Sequence, residues 1–325
     1  MIPLYFNVAV SGIRQLTPFI REYLLTEVNG ASMPKAQPGS HIEIHGMRAG
    51  TGPFVRHYSV LGGIGDQDDP PDTHRIAIRR GEPGRASSFI HETFDLGSRL
   101  AVSRPKNAFF LDRTAADVLL IAGGIGITPI YSMLRSLARR KRSFRLVYAA
   151  RAESGHAYAE EILKLAGDRV TLINSSAARL NLRELLAAQD KVTQVYVCGP
   201  NRMILAAYEA SKDFGWDPNR VYSEVFSAAQ TSAEDHAFDV ELRQSGKTIR
   251  VGRDTTILDA LLAAGYPALY DCRRGECGLC PLKILEAPGG IDHRDRYLDE
   301  EERDSGKTLC VCVSRARGNR LVLDA

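Results

Sequence analysis

The sequence predicts a multidomain chain: an antiparallel β-barrel, then a doubly wound α/β domain with a parallel sheet, then a small α+β domain. Three observations predict it. Hydrophobic alternation of period two, broken by turn residues, runs through the first ~110 residues. From about Ala115, continuous apolar runs alternate with helical stretches. Five of the six cysteines then gather at Cys272, Cys277, Cys280, Cys310 and Cys312, behind a small polar linker. With 325 residues, 44% apolar and 25% charged, the chain has the composition of a globular protein and the length for more than one core.

In the first region, Tyr5–Val10, His41–His45 and Arg75–Arg79 alternate as half-buried strands, and Pro38-Gly39 and Pro83-Gly84 mark turns. One inserted helix is expected after Gly84. Asp117–Ala122 is an unbroken apolar run ending in glycines, as a strand buried on both faces requires. Further runs at Arg145–Tyr148, Arg169–Ile173 and Gln194–Val197 alternate with helical stretches near 129–140, 157–166, 181–189 and 201–213. The segment Ser227–His236 has no apolar period and reads as a linker. Phe238–Leu242 and Lys247–Val251 flank Gln244-Ser245-Gly246 as a hairpin, with a short helix at Ile257–Ala264 to follow. The expected boundaries are 1–112, 113–228 and 238–325, with the linker at 229–237.

Several function classes are excluded. No apolar run approaches the ~18 residues of a membrane span. A net charge of +3, evenly spread, gives no basic footprint for nucleic acid. No repeat of solenoid length is present. The opening MIPLYFNVAV lacks the basic and long apolar regions of an export signal. A cytoplasmic, reducing location is therefore expected, where clustered thiols hold metal more often than disulfides.

The cysteines are the most specific signal. Cys272, Cys277 and Cys280 have the C-x4-C-x2-C spacing of plant-type [2Fe–2S] loops. Two bridged irons need four thiolates on one small volume, and a compact loop supplies three. Gly275 and Gly278 let backbone N–H groups approach the sulfurs. Zinc more often takes paired C-x2-C knuckles, and Arg273, Arg274 and Glu276 do not suit an inert core. Cys310 and Cys312 would project to one side of an extended chain, so either can be the fourth ligand. Arg273 and Arg274, beside the loop, are the cationic candidates for docking an electron acceptor.

Two further constellations point to phosphate-bearing ligands. Arg56-His57-Tyr58-Ser59 closes a barrel strand, and Gly84-Arg85-Ala86-Ser87-Ser88 opens the inserted helix, where unpaired N–H groups and the helix dipole favour an anion. Taken alone, Arg-x-Tyr-Ser on a strand is more often ordinary surface and core. Ala122-Gly123-Gly124-Ile125-Gly126-Ile127-Thr128-Pro129 follows the first buried strand and enters a helix, giving pyrophosphate close backbone access. It is not the G-x-G-x-x-G fingerprint. Cys198-Gly199-Pro200 repeats the strand-to-helix arrangement, although a lone Cys198 is more often a small buried hydrophobe.

In this order the motifs resemble the phthalate dioxygenase reductase family, the reductases that serve Rieske-type oxygenases. The match rests on Arg56–Ser59, Gly84–Ser88, Ala122–Pro129, Cys198–Pro200, Cys272-x4-Cys277-x2-Cys280, and Cys312-Val-Ser-Arg-Ala316 followed by Leu321–Asp324. It spans essentially the whole chain. The resemblance implies FMN, NADH and a [2Fe–2S] cluster, carried by a flavin barrel, a nicotinamide domain and a β-grasp ferredoxin domain. It implies that Arg56, His57, Tyr58 and Ser59 hold the flavin, that Ala77, Ile78 and Arg79 run along its edge, and that Arg85, Ala86, Ser87 and Ser88 bind its phosphate. Ala86 stands where related chains often carry glycine. Phe226 resembles the aromatic packed beside the flavin, and Gly124, Gly126, Thr128, Arg151, Cys198 and Gly199 would line the dinucleotide crevice. A Cys-Val-Ser-Arg-Ala run marks the fourth ligand in the family, which matches Cys312.

NADH is implied, although Arg145 and Arg151 could attract a 2′-phosphate. The implied chemistry is a change of electron number, because the nicotinamide gives a hydride while the cluster takes single electrons. A monomer forming a transient complex with a Rieske-type oxygenase is expected. A reductase for a haem-thiolate monooxygenase and an iron–sulfur redox sensor are the competing readings.

Overall fold

The computed structural model describes residues 5–30, 32–48, 52–62, 72–151, 155–226, 232, 234–270, 273–275 and 277–325. The chain divides into two compact units, Met1–Glu224 and Val225–Ala325.

The first unit opens with strands β1 (Tyr5–Thr17), β2 (Ile20–Glu27), β3 (His41–Arg48), β4 (Gly52–Ser59), β5 (Thr73–Arg79) and β6 (Arg99–Ser103), with helix α1 (Ala86–Thr93) between β5 and β6. They form one sheet in the order β4-β3-β6-β1-β2-β5, and an antiparallel bridge between Val60 and Ile76 joins its two edges into a barrel. Alternation in the sequence becomes an inside and an outside: Val8, Leu25, Ile42, Ile44, Ile76 and Val102 are all 0% exposed.

A second sheet follows in the same unit. Strands β7 (Asp117–Gly123), β8 (Ser143–Ala150), β9 (Val170–Asn174), β10 (Thr193–Cys198) and β11 (Val221–Glu224) are parallel, in the order β11-β10-β7-β8-β9. Helices α2 (Ile127–Arg139), α3 (Ala159–Ala166), α4 (Leu182–Ala187) and α5 (Asn201–Asp213) connect them, within about two residues of the stretches expected at every end. Strand order reverses between β7 and β10, and ligands bind at such a switch point, outside the carboxyl ends of the strands.

Barrel and parallel sheet share a core in which Ile20, Leu61 and Ala77 meet Ile127, Met133 and Tyr158. Gly39 makes one junction between them. Its N–H donates to Ser132 Oγ on α2 at 2.9 Å, and a Cβ there would lie 1.8 Å from the Phe109 carbonyl oxygen.

The second unit holds β12 (Phe238–Leu242), β13 (Lys247–Val251), helix α6 (Ile257–Ala263), β14 (Pro281–Glu286), β15 (Ile291–Asp292), helix α7 (Glu300–Asp304), β16 (Thr308–Cys310), β17 (Arg315–Ala316) and β18 (Arg320–Leu323). Its sheet runs β13-β12-β18-β14-β16, with β12 and β18 parallel at the centre. Thr256 caps α6 by accepting from Asp259 N–H at 3.0 Å, and Ile257, Leu258 and Leu261 bury the helix against the sheet. Such a helix laid on a mixed sheet is the β-grasp arrangement the resemblance implied. Among the described residues, no helix is long and apolar enough to cross a membrane.

Candidate functional site

The first site lies where the barrel strands end. β3 and β4 pair with Ile42 opposite Tyr58 and His41 opposite Ser59. Tyr58 packs half-buried on the barrel core, and burial raises its phenol well above the ordinary value, despite Arg56 nearby. It stays a neutral ring, fit for stacking. Ser59 is 4% exposed, and its Oγ is buried with no hydrogen-bond partner among the described residues. Leaving such a hydroxyl unmet costs about 1–3 kcal/mol, so a bound heteroaromatic that bonds it fits the strand end. His57 instead stacks on His41 with centroids 5.1 Å apart and turns Nε2 towards Glu43 at 3.5 Å, so it serves the barrel wall. The side chains of Ala77 and Ile78 are buried in the core, leaving their backbone as the part a ligand could run along, while Arg79 and Arg56 are exposed.

At the start of α1 the two serines do less direct work than the resemblance implied. Ser87 Oγ accepts from Gly81 N–H at 3.1 Å and Ser88 Oγ donates to the Gly81 carbonyl at 2.8 Å. They shape the loop, and the first-turn N–H groups with exposed Arg85 are what face an anion. Ala86 tucks its methyl into the core at 3% exposure, so the departure from glycine leaves the N–H groups in place. Sequence reading missed Arg48. It donates to the Gly84 carbonyl at 2.7 Å and lies over Phe89, placing another cation beside the same loop.

The second site is the switch point. Gly124 has φ +56° with open space where a Cβ would be. Gly126 is the opposite case: a Cβ would lie 2.2 Å from Cys198 O and 2.8 Å from Gly199 N. Gly123 and Gly199 likewise meet Met203 Sδ at 2.9 and 2.8 Å. The two loops therefore lie backbone against backbone, as a dinucleotide-binding edge requires. Thr128 Oγ1 donates to Ile125 O at 3.0 Å and the residue is 1% exposed, so it holds the loop in shape. Cys198 is 0% exposed. Asn201, at the start of α5, keeps a buried Oδ1 without a partner among the described residues, an acceptor suited to a ligand amide.

Glu224 was also missed. It ends β11 in register with Cys198 on β10, is 3% exposed, and lies 3.9 Å from His41 Nδ1. His41 in turn sits opposite Ser59. His41 thus links Ser59, at the end of barrel strand β4, to Glu224, at the end of β11 in the parallel sheet. The available signal was an acid inside the apolar segment Val221–Phe226.

Arg145 does not belong to this site. It lies near the amino end of β8, 3.7 Å from Asp117 at the start of β7, and so stands at the opposite edge of the sheet from the crevice. Arg151, exposed directly after β8, stands at the correct edge. Arg145→Gln is expected to leave the NADH-to-NADPH preference, measured as a kcat/KM ratio, within about twofold of the parent.

The third site is in the second unit. Cys272 lies outside the described residues. Cys277 is half-buried, and Cys280, Cys310 and Cys312 are 4%, 0% and 2% exposed. Cys280 Sγ and Cys312 Sγ are 3.2 Å apart. The chain is not extended through 310–312. β16 ends at Cys310, opposite Pro281, and turns at once, with Val313 N–H and Ser314 N–H both bonding the Cys310 carbonyl. The neighbouring thiols of Cys310 and Cys312 pull Cys280 down to about 3, while Cys280 and burial push Cys310 upward.

The loop's glycines are structural necessities. Gly275 (φ +74°) would press a Cβ within 2.8 Å of Asp295 Cα, and Gly278 (φ +69°) within 2.1 Å of the Tyr297 ring. Arg296 and Tyr297 N–H groups close the contact on the Gly275 carbonyl. Cys280 and Cys312, 3.2 Å apart with Cys310 beside Cys280, bring part of the thiol set that a cluster needs onto one small volume; among the described residues no fuller metal-ligand group is assembled. Arg274 is only 9% exposed, which removes it from the docking candidates. Arg273 is half-exposed and paired with Asp259 at 3.0 Å. Phe226 is 38% exposed at the start of this unit.

Comparison with known proteins agrees with this arrangement. Residues 101–221 match the dimethylamine monooxygenase subunit DmmA-like N-terminal domain, and residues 240–317 match the 2Fe-2S iron-sulfur cluster binding domain. The heme-dependent oxidative N-demethylase beta subunit of Ectopseudomonas mendocina is 39% identical, with 98% of each chain covered. The carnitine monooxygenase reductase subunit of Escherichia coli is 36% identical, again over 98% of each.

Among solved structures, phthalate dioxygenase reductase, described as a modular structure for electron transfer from pyridine nucleotides to [2Fe-2S], superposes with a TM-score of 0.76 at 30% identity, over 99% of this chain and 98% of that one. An intact type IV self-sufficient cytochrome P450 monooxygenase matches at 34% identity and TM-score 0.72 over 99% of this chain, which spans 41% of that longer protein. Full-length relatives above 30% identity, with a flavin and nicotinamide reductase fold followed by a [2Fe–2S] domain, leave one assignment. The chain is an oxidoreductase of the phthalate dioxygenase reductase family, a reductase subunit of an oxygenase system.

Proposed function

We propose that this protein oxidises NADH with FMN as its flavin and passes single electrons through its [2Fe–2S] cluster to a Rieske-type oxygenase, acting as a monomer in a transient complex. The observation that carries this reading is the junction of the two sheet ends, where His41, paired with Ser59, meets Glu224 of β11 in register with Cys198, and Gly126 lies backbone against backbone on Cys198. A bound flavin supplies the conversion of a hydride pair into single electrons. The protein's own groups supply placement. Tyr58 offers a neutral ring face, Ser59 an unmet hydroxyl, the α1 N-terminus with Arg85 and Arg48 a seat for phosphate, and Gly124 open space for the dinucleotide. Arg56 and Arg79 add positive charge at the barrel rim, and Arg151 is exposed directly after β8, the strand whose end would receive the ribose side. Each unit has its own buried core, so a second copy is not needed to complete either.

A haem-thiolate monooxygenase is the second reading for the partner. It is favoured by the 39% identity to a subunit named heme-dependent and by the match to a self-sufficient cytochrome P450 monooxygenase. Anaerobic mixing with NADH and a purified Rieske-type oxygenase component decides. Bleaching of the Rieske absorbance, saturating with reductase concentration, is expected. A protein that reduces ferricyanide but leaves that absorbance untouched, while reducing a haem-thiolate monooxygenase, would transfer the function to the second reading.

A further inference from the structure

Tyr158 is one of four non-glycine residues with positive φ among those described, at +64°. A side chain in that conformation costs roughly 1–2 kcal/mol and persists where its surroundings over-determine it. Here they do. The residue is 3% exposed. Its ring stacks on Tyr131 of α2 with centroids 4.8 Å apart, Arg14 lies 5.6 Å above the ring, and its hydroxyl donates to Glu22 Oε2 at 2.8 Å. Burial and the adjacent Glu22 carboxylate raise the phenol well above its ordinary value, so the hydroxyl remains a donor.

Glu22 comes from β2 of the barrel and is itself 4% exposed. It also takes Arg14 Nε of β1 at 3.2 Å and faces Arg75 Nη1 of β5 at 3.6 Å. Arg14 reaches on to Glu161 in the first turn of α3 at 2.6 Å. Two barrel strands therefore hold the start of one helix in the nucleotide lobe, with Arg75 of a third behind Glu22, and Tyr158 is that helix's N-cap.

The position gives the grip a use. Residues 155–158 form a short segment at the carboxyl edge of β8, where a Cβ on Gly155 would lie 3.3 Å from Ala150 Cβ, the edge where the ribose side of a dinucleotide is received in this fold. On its sheet side the segment is tied by Tyr148 hydroxyl to Gly155 O at 3.3 Å and by His156 Nε2 to Ile173 O at 3.1 Å. Tyr158 supplies the tie on the barrel side. We propose that Tyr158, through Glu22, is a positioning residue that fixes the ribose-side wall of the crevice relative to the barrel and thereby sets the affinity for reduced nicotinamide dinucleotide. The inference rests on the reading above that the dinucleotide crosses the end of β8.

The test is steady-state kinetics of the holoenzyme with NADH and ferricyanide. Tyr158→Phe keeps the ring and its stack but removes the donor. It is expected to raise KM for NADH about three- to tenfold with kcat within twofold, the signature of lost uniform binding, at unchanged flavin and cluster content. A merely structural role would lower thermal stability and leave KM alone. Glu22→Gln retains an acceptor oxygen for the hydroxyl and is the conservative rescue, with a KM nearer the parent than that of Tyr158→Phe. Arg151→Gln, measured alongside, separates the two ideas. A raised KM for Arg151→Gln with Tyr158→Phe within twofold overturns the positioning role alone. If neither variant moves KM, the placement of the dinucleotide at β8 fails as well.

Discussion

Cys312→Ser is expected to abolish the [2Fe–2S] absorbance and cut reduction of a one-electron protein acceptor by ~100-fold or more, while NADH–ferricyanide activity stays within about threefold, because removing one of four thiolates undoes the site itself. The units divide the consequences. Apart from Phe226, the residues proposed for flavin and nicotinamide lie in residues 1–224, and the clustered cysteines lie in 225–325. Cys310→Ser supplies the contrast. Both thiols adjoin Cys280, and local sequence leaves them equivalent. Cys310, however, is the last residue of β16, paired with Pro281, whereas Cys312 lies beyond it on the turn with Sγ 3.2 Å from Cys280. Cys310→Ser is therefore expected to keep the visible spectrum and the paramagnetic signal of the reduced cluster. Loss of the cluster in Cys310→Ser, with retention in Cys312→Ser, would reverse the ligand assignment without touching the family.

Much of the architecture was legible because it repeats locally. The β7 run Asp117–Ala122 looks continuous in sequence because Val118–Ala122 are at most 1% exposed, and the hairpin at Gln244–Gly246 is marked by its turn residues, with Gly246 at φ +68°. Helix α2 begins two residues before the expected start because a 3-10 turn at Gly124–Gly126 already winds the chain. What was not legible is polar, buried and distant in sequence. Nothing in the neighbourhood of Glu224 announces His41, nor anything near Tyr158 announces Glu22, since such contacts follow from how two sheets pack and leave no period in either strand. Arg274 shows the same limit: a charged loop residue next to an exposed one reads as surface, yet it is buried. Arg145 was a different failure. Its place near the start of a parallel strand already put it at the wrong edge, because only carboxyl ends of such strands meet the ligand.

Gly126→Ala should be the most damaging single methyl among the glycines of the two strand-to-helix loops. The backbone dihedral is no obstacle, since Gly126 has φ −60°, so the effect is steric. The added carbon would lie 2.2 Å from Cys198 O, 2.5 Å from Cys198 C and 2.8 Å from Gly199 N. All three are backbone atoms that no rotamer change can move, and the β10–α5 loop must retreat from the β7–α2 loop. Overpacking of this kind costs about 1–3 kcal/mol, which for a unit of this size lowers Tm by several degrees, roughly 2–4 °C per kcal/mol. Because the displaced loops are the crevice itself, kcat/KM for NADH is expected to fall at least ~10-fold, or ~1.4 kcal/mol of transition-state stabilisation, with flavin content preserved by the untouched barrel strands. Gly124→Ala gives the comparison, for its methyl meets open space and its penalty is the left-handed backbone, of order 1–2 kcal/mol. It should raise KM by obstructing the approach of the dinucleotide while leaving the two loops in contact. If Gly126→Ala retained parental kcat/KM within twofold, the contact between the two loops would not be what shapes the nicotinamide site.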